Sequence, residues 1–222
     1  IENTVDNLSN WLTNNAGVTA SDNCSAITWS NDYGSDDSVQ CDNGAITVTF
    51  TATDECGNIS TTSATYLIKD TDAPNITQQA SDLTVECDGA GNTTDLNNWL
   101  TSNGGATASD TCSTISWSND FSALSDGCGE TGSATVTFTT TDACGNESST
   151  TATFTIEDTT PPVVPNYTGS TVQCLKDAVQ PTAPVVNDVC GGNIIPSITE
   201  SADPDCEGTK EYTFTYTDCA GN

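Results

Sequence analysis

The chain repeats itself, and that repetition limits its folds more than any other feature. Asn10-Trp-Leu-Thr-Asn-Asn-Ala-Gly-Val-Thr-Ala-Ser-Asp-Asn-Cys24 returns as Asn98-Trp-Leu-Thr-Ser-Asn-Gly-Gly-Ala-Thr-Ala-Ser-Asp-Thr-Cys112, a shift of 88 residues from Asn10 to Asn98. Thr53-Asp-Glu-Cys-Gly-Asn58 returns as Thr141-Asp-Ala-Cys-Gly-Asn146. A third, divergent copy carries Asn187-Asp-Val-Cys190 and closes with Thr217-Asp-Cys-Ala-Gly-Asn222. A fixed long period is the mark of an array of equivalent modules. The copies read as residues 1–70, 71–158 and 159–222, the first short at its start and the last short at its end. Both ends are expected to continue into a longer parent, which would also carry any export signal or anchor.

Small modules with lean cores need covalent help. Hydrophobic residues make up 34% of the chain and aromatics 6%, while cysteines number 11. Histidine is absent, and the closest two cysteines, Cys206 and Cys219, lie 13 positions apart. Zinc sites and CxxC redox pairs need tighter spacing, so disulfides in an oxidising, extracellular space are expected. The second copy holds Cys87, Cys112, Cys128 and Cys144, and the third Cys174, Cys190, Cys206 and Cys219. The first has only Cys24, Cys41 and Cys56, its missing member falling just before Ile1 by the same shift.

Charge removes further functions. Asp and Glu total 31 against three bases, Lys69, Lys176 and Lys210, for a formal charge of −28. Phosphate backbones and anionic membrane surfaces are bound by cationic side chains, so neither nucleic acid nor membrane contact is expected. A polyanion attracts cations instead. Without histidine there is no Ser-His or Cys-His pair, and no carboxylate pair stands out by spacing, so no enzyme is expected.

Period-two alternation predicts strands. Ala134, Val136 and Phe138 face one way and threonines the other, as do Ile46, Val48 and Phe50 in the first copy and Tyr212, Phe214 and Tyr216 in the third. Ala152, Phe154 and Ile156 continue the core, matched by Ala64, Tyr66 and Ile68, and Ile115 with Trp117 (Ile27 with Trp29) mark a third strand. A short helix is expected in the first two copies: Thr94 or Asp95 as N-cap, Leu96, Trp99 and Leu100 inward, Gly104 or Gly105 at its end. The tryptophans Trp11, Trp29, Trp99 and Trp117 belong to these core faces rather than to a sugar-stacking platform. The third copy, with Pro181 and Pro184, is expected to lack the helix, and Lys69–Pro74 and Glu157–Pro162 read as extended linkers. The fold class is therefore all-β: tandem β-sandwich repeats with a short helix inserted in the first two.

Four cysteines allow three pairings. In modules joined end to end, the first strand leaves Cys87 at the far pole, and the strand preceding the last begins there, near Cys128. Cys112 and Cys144 fall at the near pole. The expected bridges are Cys87–Cys128, Cys112–Cys144, Cys174–Cys206, Cys190–Cys219 and Cys24–Cys56, with Cys41 lacking its partner.

The same linker, Asp-x-Cys turn, alternating strand and closing Thr-Asp-x-x-Gly-Asn loop resemble hyalin (HYR) repeats, which implies an immunoglobulin-like form of the sandwich. The Trp-bearing helix and four-cysteine layout are similar to repeats of very large Bacteroidota surface adhesins of the gliding-motility type. The resemblance implies extracellular adhesive filaments without catalytic residues. A structural shaft is the expected role, with neighbouring repeats as partners and surface glycans or other cells engaged elsewhere in the parent. Repeats that themselves bind a glycan or protein ligand are the alternative. It also implies O-linked sugar at Ser38 or Thr159, while seven Asn-x-Ser/Thr sequons (Asn7, Asn23, Asn58, Asn75, Asn92, Asn146, Asn166) reflect a composition rich in these residues.

No cofactor is expected other than calcium at the repeat junctions. The topology brings linker Asp70 and Asp72, turn Asp110 and loop Asp142 to one pole, and Asp158, Asp188 and Asp218 to the next. Hard oxygens from separate loops suit calcium. The same aspartates are also natural Asx-turn formers, capping backbone N–H groups.

Overall fold

A computed structural model describes residues 4–34, 44–205 and 207–222. In the first copy, α1 (Thr4–Thr13) precedes β1 (Ile27–Asn31), β2 (Ala45–Asp54) and β3 (Ile59–Leu67). The second copy runs β4 (Asn75–Gln78), β5 (Leu83–Glu86), α2 (Thr93–Thr101), β6 (Thr107–Ser109), β7 (Ile115–Asn119), β8 (Gly132–Asp142) and β9 (Glu147–Glu157). The third is reduced to β10 (Val186–Asp188), β11 (Gly192–Ile194), β12 (Ser197–Glu200) and β13 (Tyr212–Thr215), with a single 3-10 turn at Leu175–Asp177 and no α-helix among its described residues. The chain is thus all-β, a series of β-sandwich repeats with one short helix in each of the first two.

The sheets follow the alternation. The first copy forms β1-β2-β3, with β2 antiparallel to both neighbours and Ala45 opposite Leu67. The second forms β5-β9-β8-β7, with β5 parallel to β9, and a separate β4-β6 pair. Alternate residues of β8 and β9 point inward: Val136, Phe138, Ala152, Phe154 and Ile156 are all buried. Threonines opposite one another on the wet face meet, Thr47 with Thr65 and Thr135 with Thr153, each pair 3.0 Å apart. Such cross-strand pairs fix register.

The helices close the inner face of these sheets. Trp99 lies edge-on to Phe138 at 5.2 Å and tilted on Phe154 at 5.6 Å, and its indole N–H donates to the Ser81 carbonyl at 3.0 Å. Trp11 stands in the same relation to Phe50 and Tyr66. The start of α2 differs from expectation. Its cap is Asn92, in a left-handed conformation, and not Thr94 or Asp95. The Asn92 side chain does not cap the helix but ties the incoming loop, accepting from the Asp88 N–H and donating to the Glu86 carbonyl. Gly104 and Gly105 lie in a 3-10 turn after the helix rather than ending it.

Contacts divide the chain into two compact units. One comprises Ile1–Thr77, Ala108–Trp117 and Thr139–Ser148; the other Gln78–Thr107, Ser118–Phe138 and Ser149–Asn222. In sequence the division falls within the second copy, because β8 and β9 run the whole way from one pole of it to the other. The joint between the second and third copies lies inside the second unit.

Candidate functional site

That joint is where the cysteines act. Cys87 is bonded to Cys190 and Cys128 to Cys219, with Cα atoms 6.0 and 5.7 Å apart. Each bridge joins the second copy to the third. The expected Cys87–Cys128 and Cys190–Cys219 bridges are therefore corrected. The reason lies in strand order: β9 sits between β5 and β8. Residues on strands two apart are separated by roughly 10 Å, beyond the ~7 Å that a disulfide spans. Cys87 and Cys128 do share the far pole, but their reachable partners belong to the next copy.

The other expected pairs fare differently. Cys24 and Cys56 are exposed and carry no bridge to each other, so that pair is also corrected. Cys112 and Cys144 are half-buried, their N–H groups donating to Asp110 and Asp142 at 2.8 Å each. Cys174 is exposed and unbridged, while its expected partner Cys206 lies outside the described residues, as do Cys41 and Ser38. Thr159 is exposed, and its hydroxyl donates to the Glu86 carboxylate at 2.8 Å.

Backbone contacts reinforce the joint. The Glu130 N–H donates to the Cys190 carbonyl at 3.1 Å. Gly129, at φ +60°, lies so close to that carbonyl that a β-carbon would sit 2.0 Å from its oxygen. Gly89, at φ +74°, likewise leaves only 2.7 Å to the Val189 oxygen. Sequence reasoning passed over both glycines, since their requirement comes from the neighbouring copy. Thr159 and Thr160 hydrogen-bond Glu86, pinning the outgoing linker and holding the Glu86 pKa below the usual glutamate range.

The aspartates gather in two groups. Carboxylate oxygens of Asp70, Asp110 and Asp142 come within 4.8 Å of one another. Asp158 and Asp188 approach equally closely, together with the Cys190 sulfur, which the bridge to Cys87 removes as a ligand. Asp72 does not join its group: its side chain is exposed and only its N–H reaches Asp70, at 3.1 Å. Two amides tie the closing loops to the linkers, Asn146 donating to the Asp70 carbonyl at 3.3 Å and Asn222 to the Asp158 carbonyl at 2.9 Å.

Hydrogen bonding and burial pull these carboxylates in opposite directions. Burial works against ionisation of Asp142. The Asn146 amide and the N–H groups of Asn146, Cys144 and Gly145 outweigh it and hold the pKa low. Asp218 is held low in the same way, by Asn222 and by the Gly221 and Ala220 N–H groups against the effect of burial. Asp158 is raised, first by burial and then by the charges of Asp188, Asp218 and Glu86.

A groove of about 610 Å³ borders β13, lined by Tyr167, Val172, Lys210, Tyr212 and Phe214 among others. Val172-Gln-Cys174 is the equivalent of Val85-Glu-Cys87 on β5, and β13 of β8. In the second copy the space between those two strands is filled by β9.

Residues 162–222 match the family described as "HYR-like domain with 4 cysteines". That match covers the third copy, and internal repetition relates the first two to it. No curated protein matches the chain. Among solved structures, the "Protocadherin GammaB4 extracellular domain" is 16% identical with a TM-score of 0.28, over 91% of this chain and 37% of that one. "PcdhgB3 EC1-4 in 50 mM HEPES" is 13% identical with the same TM-score, over 91% of this chain and 57% of that one. The chain therefore spans well under two thirds of either.

Proposed function

We propose that this chain is a segment of the shaft of a cell-surface or secreted adhesin, a non-catalytic array whose repeats are stapled to one another. The observation that carries the reading is the pair of bridges Cys87–Cys190 and Cys128–Cys219, which cross from one copy to the next. Bridges within a module would stabilise that module; bridges between modules stop the joint from flexing and carry tension across it. Such bonds persist in an oxidising space, in keeping with an extracellular location. The threonine-coated sheet faces and the buried or half-buried tryptophans favour a shaft over a ligand-binding surface.

The register can be carried along the array by the repeat. The first cysteine of one copy joins the second of the next, and the third joins the fourth. On that rule Cys41 pairs with Cys144. Cys24 and Cys56 are assigned to a copy before this segment, and Cys174 and Cys206 to one after it.

Pulling the oxidised chain by its ends tests whether the bridges carry tension. The Cys87–Cys190 bridge shortcuts a sequence separation of 103 residues. At about 3.3–3.6 Å per extended residue, reduction should lengthen the fully stretched chain by about 350 Å or more. Equal contour lengths with and without reductant would remove the stapled-shaft reading.

A further inference from the structure

We propose that each repeat joint holds a calcium ion, bound by Asp70, Asp110 and Asp142 at the entrance to the second copy and by Asp158, Asp188 and Asp218 at the entrance to the third. Each trio comes from three separate segments: a linker, an Asp-x-Cys turn and the closing loop. The two sets occupy equivalent positions, Asp158 lying 88 residues after Asp70. Carboxylate oxygens of Asp70, Asp110 and Asp142, and those of Asp158 and Asp188, lie no more than 4.8 Å apart, within the span one ion bridges with bonds of 2.3–2.6 Å, and the charge of Asp218 acts on Asp158.

Turn capping uses one oxygen of these carboxylates and leaves the other to a cation, except at Asp142, whose Oδ2 also accepts from the Asn146 amide at 2.7 Å. One oxygen of Asp110 accepts from the N–H groups of Cys112 and Ser113, both at 2.8 Å. Its equivalent, Asp188, accepts from Cys190 and Gly191 at 2.7 and 2.9 Å. Oδ1 of Asp70 takes the Asp72 N–H, Oδ1 of Asp158 the Thr160 N–H, and Oδ1 of Asp218 those of Gly221 and Asn222.

The second oxygens supply the independent sign of a ligand. Oδ2 of Asp70, Asp158 and Asp218 are buried with no hydrogen-bond partner, although these residues are only 7%, 8% and 7% exposed. A carboxylate oxygen withdrawn from water with nothing donating to it is strongly unfavourable, and a cation among the carboxylates removes that penalty. No lysine does so: both ion pairs among the described residues belong to Lys210, with Glu200 and Asp203. An all-oxygen donor set with flexible carboxylates selects calcium over zinc or copper.

Calorimetric titration of the oxidised chain with calcium chloride tests this. The expected result is two ions per chain, one after D70N or D158N, and none in the double variant. Asparagine keeps the capping oxygen, and non-reducing mass spectrometry of each variant confirms that Cys87–Cys190 and Cys128–Cys219 are intact. No binding to the wild-type chain, or unchanged stoichiometry in correctly bridged variants, overturns the proposal. The bridges read out in the same samples report separately on the stapled shaft.

Discussion

Gly129 lies hard against the Cys190 carbonyl of the third copy, and its tolerance of a side chain measures how tightly the two copies are joined. Gly145 also has a positive φ, +86°, but nothing lies within 4 Å of where its β-carbon would be. Gly145→Ala should therefore cost only the left-handed backbone penalty, about 1–2 kcal/mol. Gly129→Ala adds a collision with the Cys190 carbonyl and should cost clearly more in thermal unfolding of the oxidised chain. Equal losses would mean the joint is slack. The carboxylates give a second residue-scale test, with opposite signs. The pKa of Asp158 is raised, so its ionised form is unfavourable in the folded state, and this cost grows as pH rises above the ordinary aspartate value near ~3.9. In chelator-treated buffer, Asp158→Asn should stabilise the chain at neutral pH and change nothing well below ~3.9. Asp142 is lowered, so its contribution is present above ~3.9 and lost as pH falls through its folded value. Asp142→Ala should therefore destabilise at neutral pH and matter progressively less in acid. Melting curves across pH for both variants check the pair of signs, and matching pH trends would contradict them.

Elements formed where the residue pattern was strongest. The alternation in β2, β8 and β9 gave the correct inward faces, since period two and burial report the same geometry. The cap of α2 was less legible. Thr94 and Asp95 have the chemistry of N-caps, but Asn92 sits there because its side chain is needed to hold the loop between β5 and the helix. Trp99 was readable as core from its place on the helix face, and it is 5% exposed against Phe138 and Phe154. Trp99→Ala should cost about 3–5 kcal/mol, enough to unfold a small module whose whole stability is of order 5–15 kcal/mol. Loss of the near-ultraviolet tryptophan signal and a fall in melting temperature are the expected readouts. In the third copy, the alternation of Tyr212, Phe214 and Tyr216 held, the first two half-buried and Tyr216 buried. Val163, Val164, Tyr167 and Val172 are exposed.

At the scale of the whole molecule, the poles were legible and the bonding across them was not. Topology placed Cys87 with Cys128 and Cys112 with Cys144 by end, and the Ala143 N–H donating to the Ser113 hydroxyl at 3.2 Å shows the latter two turns meeting. Choosing a partner needs the distance across β9 and the position of the next copy, neither of which a one-dimensional spacing contains. The same limit applied to the aspartates: Asp70, Asp110 and Asp142 were gathered correctly, whereas Asp72 was included on adjacency alone. On the chain-entropy account, a bridge closing a separation of 91 or 103 residues contributes about 4–5 kcal/mol, and it does so to the joint as well as to the modules. The most direct measurement is proteolytic mapping of disulfide-linked peptides under non-reducing conditions. The account predicts linked peptides containing Cys87 with Cys190, Cys128 with Cys219 and Cys41 with Cys144; peptides linking Cys87 to Cys128 or Cys190 to Cys219 would contradict it.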